Sequence, residues 1–99
     1  MRVIFTDAAE REIEAIGDYV AEESPARALE LVRELREKCL SLSDMPRRFP
    51  LLERYSSSGI RRRVHGNYLI FYRVEDDAVQ IVHILHGAMD YERLLFPEG

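Results

Sequence analysis

Apolar residues recur at helical spacing in the first half of the chain and at strand spacing in the second. Val3-Ile4-Phe5 reads as a short strand. Ala9, Ile13, Ile16 and Val20 then form one stripe of a helix running to about Glu22, with Glu10, Arg11, Glu14, Asp18 and Glu22 on its solvated face. Thr6 or Asp7 is its expected cap, and Asp7 to Glu10 has capping-box spacing. Ser24-Pro25 opens a second helix, because serine suits the N-cap and proline the first turn. Ala28, Val32, Leu35, Cys39 and Leu42 line that helix, and Met45-Pro46 is its expected end. The short link between the two predicts an antiparallel hairpin.

Residues 46–59 read as loop, and three strands follow. Ile60–His65 leads through Gly66-Asn67 into Tyr68–Val74, and Glu75-Asp76-Asp77-Ala78 turns the chain into Val79–His86. Gly87 breaks the last strand. Asp90 is placed to cap a short C-terminal helix carrying Tyr91, Leu94 and Leu95, with Pro97-Glu98-Gly99 as its stop. Tight hairpins set His65 opposite Tyr68 and Val74 opposite Val79. One face then carries Arg61, Arg63, Tyr68, Ile70, Tyr72, Ile81, His83 and Leu85. The other carries Ile60, Arg62, Val64, Leu69, Phe71, Arg73, Val82 and Ile84. Both faces are apolar in the middle strands, yet one helical hairpin covers one face. The second face needs a cover of its own, from the C-terminal helix, a partner, or both. The fold class is therefore α+β, a helical hairpin on a twisted antiparallel sheet.

Ninety-nine residues suit one domain with one modest core and little room for a deep cavity. No run approaches the ~20 apolar residues of a membrane span, and the N-terminal apolar run is too short for a signal peptide. A cytoplasmic protein with no membrane association is expected. The net charge of −4 argues against broad nucleic-acid binding. Its distribution is uneven. From Glu53 to Arg73 five arginines accompany one acid, while most acids lie in the first half.

Candidate chemistry is sparse. His83 and His86 point to opposite faces of one strand, so they read as a core or rim residue and a strand-end residue rather than a catalytic pair. His65 could join one of them, but no acid or thiol completes a zinc site at ligand spacing. Ser56, Ser57 and Ser58 sit in a loop, where serines serve turns. The lone cysteine, Cys39, lies on an apolar stripe and reads as an inert buried thiol. Neither a phosphate loop nor a nucleophile elbow is present. No cofactor or metal is expected. Arg61-Arg62-Arg63 splits two to one across the sheet. It reads either as solvated edge charge or as an anchor for an acidic partner.

The run Ile60-Arg61-Arg62-Arg63-Val64-His65-Gly66-Asn67-Tyr68-Leu69-Ile70-Phe71-Tyr72-Arg73-Val74 resembles the ParE branch of the ParE/RelE toxin superfamily. So does Ile84-Leu85-His86-Gly87-Ala88-Met89-Asp90. The resemblance implies a bacterial toxin neutralised by a ParD-like antitoxin whose disordered tail folds onto it. It implies action by inhibiting DNA gyrase. The alternatives are a RelE-like ribosome-dependent mRNA endonuclease, in which Arg73, Tyr72 or His86 would matter, and a degenerate toxin that only binds its antitoxin. Against that family pattern Leu69 and Met89 stand where RelE-like groove arginines would, so no RNase activity is expected. Many ParE-like sequences also carry arginine at the Met89 position, and often at that of His83. The antitoxin-contact candidates are Leu69, Phe71, Arg73, Val82 and Ile84. The target-contact candidates are Arg62, Met89 and Tyr91.

Overall fold

The computed structural model describes residues 1–97. Strand β1 (Arg2–Phe5) leads into helix α1 (Asp7–Ala21), and helix α2 (Pro25–Leu40) follows after three residues. Thr6, not Asp7, caps α1, its Oγ1 accepting from the Ala9 N–H at 3.0 Å. The expected Asp7–Glu10 box therefore does not form. Glu10 instead accepts from both Nη atoms of Arg36 on α2, at 3.1 Å each. Those bonds hold its carboxyl below the usual carboxylate range. Ser24 caps α2 as expected, taking the Arg27 N–H at 3.2 Å. Helix α2 stops at Leu40, earlier than Met45-Pro46, and tightens into a 3₁₀ turn over Ser41–Ser43. Arg63 reaches across to that helix end. Its Nη1 donates to the Lys38 carbonyl at 3.0 Å and to Ser41 Oγ at 2.8 Å. A cation is favoured there by the unsatisfied carbonyls of the last turn.

Strands β2 (Ile60–His65), β3 (Tyr68–Glu75) and β4 (Ala78–His86) form the expected meander. His65 faces Tyr68 and Val74 faces Val79. Strand β1 adds in parallel beside β4, so the sheet is mixed, in the order β1-β4-β3-β2. Residues 46–59 are not all loop: Leu51 bridges to Arg61, and Glu53–Ser58 winds as 3₁₀ turns. Short helix α3 (Tyr91–Leu95) follows Asp90, which caps it. Glu98 and Gly99, expected beyond its stop, lie outside the described residues.

Two cores lie on opposite sides of the sheet. The hairpin side joins Ala9, Ile13, Leu31, Leu35, Cys39 and Leu42 to Ile70, Tyr72, Val79, Ile81 and Ile84. The other side gathers Leu52, Ile60, Leu69, Phe71 and Leu85. The cover foreseen for that second face comes in part from α3 and the chain before β2, through Tyr91, Leu95, Phe96 and Tyr55.

The expected faces hold up to Ile81 and then reverse. Tyr72 pairs with Ile81, but Phe71 pairs with His83, leaving Val82 as an extra residue in β4. A bulge of one residue exchanges the faces of everything beyond it. Ile84 is therefore opposite Ile70 in the hairpin-side core, and Leu85 is opposite Leu69 in the second core. Placing Ile84 with Leu69 and Phe71 was incorrect for this reason. Leu85 takes that place.

Candidate functional site

The second face is a small core closed by a lid. Phe71 is fully buried, and its ring centroid is 5.0 Å from that of Tyr91. Tyr55 and Phe96 stack at 3.9 Å with 15° between their planes. Polar bonds hold the lid from both sides. Arg62 Nη1 donates to the Tyr91 hydroxyl at 3.1 Å. The Tyr55 hydroxyl donates to Glu92 Oε2 at 3.3 Å, and Arg54 Nη1 lies 3.4 Å from the same oxygen. Beside this lid runs an open groove of about 550 Å³, lined by Pro50, Leu52, Arg54, Arg62, Tyr91 and Glu92 among others. Two of the expected target-contact residues, Arg62 and Tyr91, thus meet directly.

Met89 is elsewhere. It is half exposed and lines a second, apolar groove of about 660 Å³ with Tyr19, Tyr68, His86 and Leu94. Glu12 forms part of the wall and explains why the bulged strand stays in place. Strand β1 ends at Phe5, opposite Ile81. Beyond that point side chains replace a strand partner. Thr6 Oγ1 donates to the Val82 carbonyl at 2.8 Å, and the Ile84 N–H donates to Glu12 Oε1 at 3.1 Å. His83 Nδ1 lies 2.8 Å from the other Glu12 oxygen.

The antitoxin-contact candidates are dispersed. Leu69 and Phe71 are buried under the lid, Ile84 belongs to the opposite core, and Val82 is the half-buried bulge residue. Arg73 donates from Nη2 to Gln80 at 3.0 Å, and its Nε lies 3.1 Å from the Glu75 carboxylate as an ion pair without a formed hydrogen bond.

The histidines have separate partners. His65 meets Glu34 at 3.3 Å, His83 meets Glu12, and His86 Nδ1 accepts the Ala88 N–H at 3.0 Å. Among the described residues no three His, Cys, Asp or Glu side chains gather where they could hold a metal. Ser58 serves a turn, donating to the Tyr55 carbonyl at 2.7 Å and accepting from the Ile60 N–H. Cys39 is fully buried, and desolvation pushes its thiol up to about 12. Arg61 and Arg63 point to the hairpin side and Arg62 to the lid, the expected two-to-one split.

Sequence reasoning missed Glu12, Tyr55, Phe96 and the Leu51-Leu52 segment. Glu12 lies between the buried Ile13 and the exposed Arg11, off the apolar stripe, with nothing in its neighbours to mark it. Leu51-Leu52 before the serines was the one local hint of a strand-like contact.

Residues 3–91 match the family described as ParE toxin of type II toxin–antitoxin system, parDE. Among solved structures the chain is similar to the chromosomal ParDE system from P. aeruginosa, with a TM-score of 0.74 and 24% identity, covering 87% of this chain and 95% of that one. It is also similar to the toxin–antitoxin complex RelBE2 from Mycobacterium tuberculosis, with a TM-score of 0.66 and 26% identity over 86% of this chain and 95% of that one. Among curated proteins none matches. Among the described residues no helix is long and apolar enough to cross a membrane.

Proposed function

Because this chain belongs to the ParE toxin family of type II toxin–antitoxin systems, we propose that it is a cytoplasmic toxin neutralised by a ParD-like antitoxin, and that it acts by binding DNA gyrase rather than by cutting RNA. The observation that carries the choice is the filling of the second sheet face. Leu69 and Phe71 are packed there under Tyr91. The two strand cations on that side, Arg62 and Arg73, are engaged by Tyr91 and by Glu75 with Gln80. Cleavage of a phosphodiester needs cations aimed at the developing charge, and removing one such donor typically costs about 10²–10³ in rate. A face given over to packing suits binding instead. Interfaces draw their energy from a few aromatic and arginine anchors. Arg62, Tyr91 and the half-exposed Met89 are the residues we assign to the target. For the antitoxin we assign Arg73 and Val82, which reach the surface, while Leu69, Phe71 and Leu85 (in place of Ile84) support the lid from beneath.

A supercoiling assay with purified gyrase tests the proposal. Linear DNA accumulating in the presence of ATP, and lost when antitoxin is added, is the expected result. Normal supercoiling at micromolar protein overturns gyrase as the direct target. The likeness to the RelBE2 complex makes ribosome-bound mRNA the next substrate to try.

A further inference from the structure

The arginines of this chain are not evenly answered by its acids. Between Pro46 and Arg73 stand seven arginines and one glutamate, in a chain of net charge −4. Two of them lie over one half-buried aromatic ring, a third binds its backbone carbonyl, and Arg47 is close by in sequence. The Arg63 guanidinium carbon lies 4.6 Å from the Phe49 ring centroid and that of Arg48 lies 5.6 Å from it. Arg61 Nη1 donates to the Phe49 carbonyl at 2.7 Å and to the Arg47 carbonyl at 3.1 Å. The partners found for Arg61 and Arg63 are carbonyls and a hydroxyl, and that of Arg48 is the Met45 sulfur. Among the described residues none of Arg47, Arg48, Arg61 or Arg63 lies within ion-pair distance of a carboxylate. Elsewhere on the molecule Arg27, Arg36 and Arg54 each have one. Arg47 and Arg48 are exposed.

Like charges gathered without counter-charge repel. Arg61 and Arg63 explain their own positions by tying β2 to the loop and to the end of α2. Arg47 has no such structural account, and the contacts of Arg48, the Phe49 ring and the Met45 sulfur, leave its charge without a counter-charge. We infer that this arginine cluster around Phe49, at the β2 edge of the sheet, docks an acidic extended polypeptide segment of a partner protein. The inference is independent of the gyrase reading.

Charge distribution decides between a polypeptide and a nucleic acid. A nucleic-acid surface carries a basic stripe on a chain that is basic as a whole. Here the cationic patch is compact and the rest of the molecule is strongly acidic, with seventeen acids against seven arginines and lysines outside the Pro46–Arg73 window. A long polyphosphate would meet that acidic surface on either side. A few carboxylates on a short segment meet only the patch, and arginine forks bind carboxylates in two-point geometry.

Fluorescence anisotropy with labelled hexaglutamate and with a labelled twenty-nucleotide thymidine strand tests this on the full chain. Hexaglutamate should bind, weaken as salt rises, and lose at least tenfold in affinity in the Arg47→Glu/Arg48→Glu variant. Arg47→Lys/Arg48→Lys should lose less, since it keeps the charge but not the fork. Circular dichroism melting establishes that both variants fold. No binding of hexaglutamate at low salt, or unchanged binding in the glutamate variant, overturns the proposal. Tighter binding of the oligonucleotide than of the peptide, lost in the same variant, also overturns it and assigns the patch to nucleic acid.

Discussion

Arg62 and Tyr91 meet at 3.1 Å, guanidinium to hydroxyl, and through them the edge strand of the sheet holds the C-terminal helix over Phe71. A helix of five residues has little stability of its own. Its position therefore depends on side-chain contacts to the sheet. Replacing Tyr91 by phenylalanine keeps the ring against Phe71 and removes the bond, at an expected cost of about 1 kcal/mol. In a double-mutant cycle with Arg62→Met, urea unfolding should return a coupling of similar size. Zero coupling would mean that the contact is incidental.

Phe71 is the heaviest member of the second core and is wholly enclosed. Phe71→Ala should lower stability by about 3–5 kcal/mol, the usual range for a buried phenylalanine. A loss below about 1 kcal/mol in chemical denaturation would show that the lid does not seal this face in solution.

Tyr72, on the opposite core, ends in a buried hydroxyl that makes no well-formed hydrogen bond among the described residues, the Phe49 backbone offsetting only part of its desolvation. Burial also pushes its pKa up. Enclosing such a group unpaired costs free energy that phenylalanine would not incur. Tyr72→Phe should leave the melting temperature unchanged or raise it. A drop equivalent to more than about 1 kcal/mol would reveal a bond formed in solution.

Glu12 supports three groups at once: the Ile84 N–H, His83, and by proximity the bulge between them. Glu12→Ala should destabilise the protein by about 1–3 kcal/mol, since it strands a backbone donor in a half-buried place. Amide exchange at Ile84 should accelerate more than at Ile70. Equal acceleration at both positions would assign the loss to global unfolding alone.

Cys39 gives a pH prediction. Burial raises its thiol from an ordinary value near 9 to about 12, so the unfolded chain releases this proton first. Stability is fully present below pH 9 and declines as pH rises toward 12, by up to about 1.4 kcal/mol per unit. Cys39→Ala should flatten that decline relative to the parent protein. At neutral pH the thiol should react with Ellman's reagent at the rate of unfolding, and fast labelling of the folded protein would refute its burial.

Most of the fold could be read from periodicity and turn chemistry. Ser24-Pro25, Gly66-Asn67 and the Val74–Val79 turn each announce local geometry, and local geometry is what sequence patterns encode. The second-face cover was anticipated for a similar reason: Leu69 and Phe71 alternate with Ile70 and Tyr72, so both sides had to be covered. What escaped was non-local. The Val82 bulge leaves no mark in a strand where Ile81, Val82, Ile84 and Leu85 are apolar in either register, and missing it turned Ile84 to the wrong side. Thr6 was preferred over Asp7 as the cap because its hydroxyl also reaches Val82, a contact across 76 residues that no window could include. The contact between Arg62 and Tyr91 was legible as two separate candidates, never as a pair.

The hydrogen bonds from Thr6 and Glu12 to β4 have a bearing on solubility. Where β1 ends, a neighbouring molecule would otherwise find an unsatisfied strand ready to accept another strand. A hydroxyl and a carboxylate occupy that place, and neither can be extended by a second chain. The molecule thus closes a route to fibre growth with two side chains of its first helical turns, beside an apolar groove that would reward such growth.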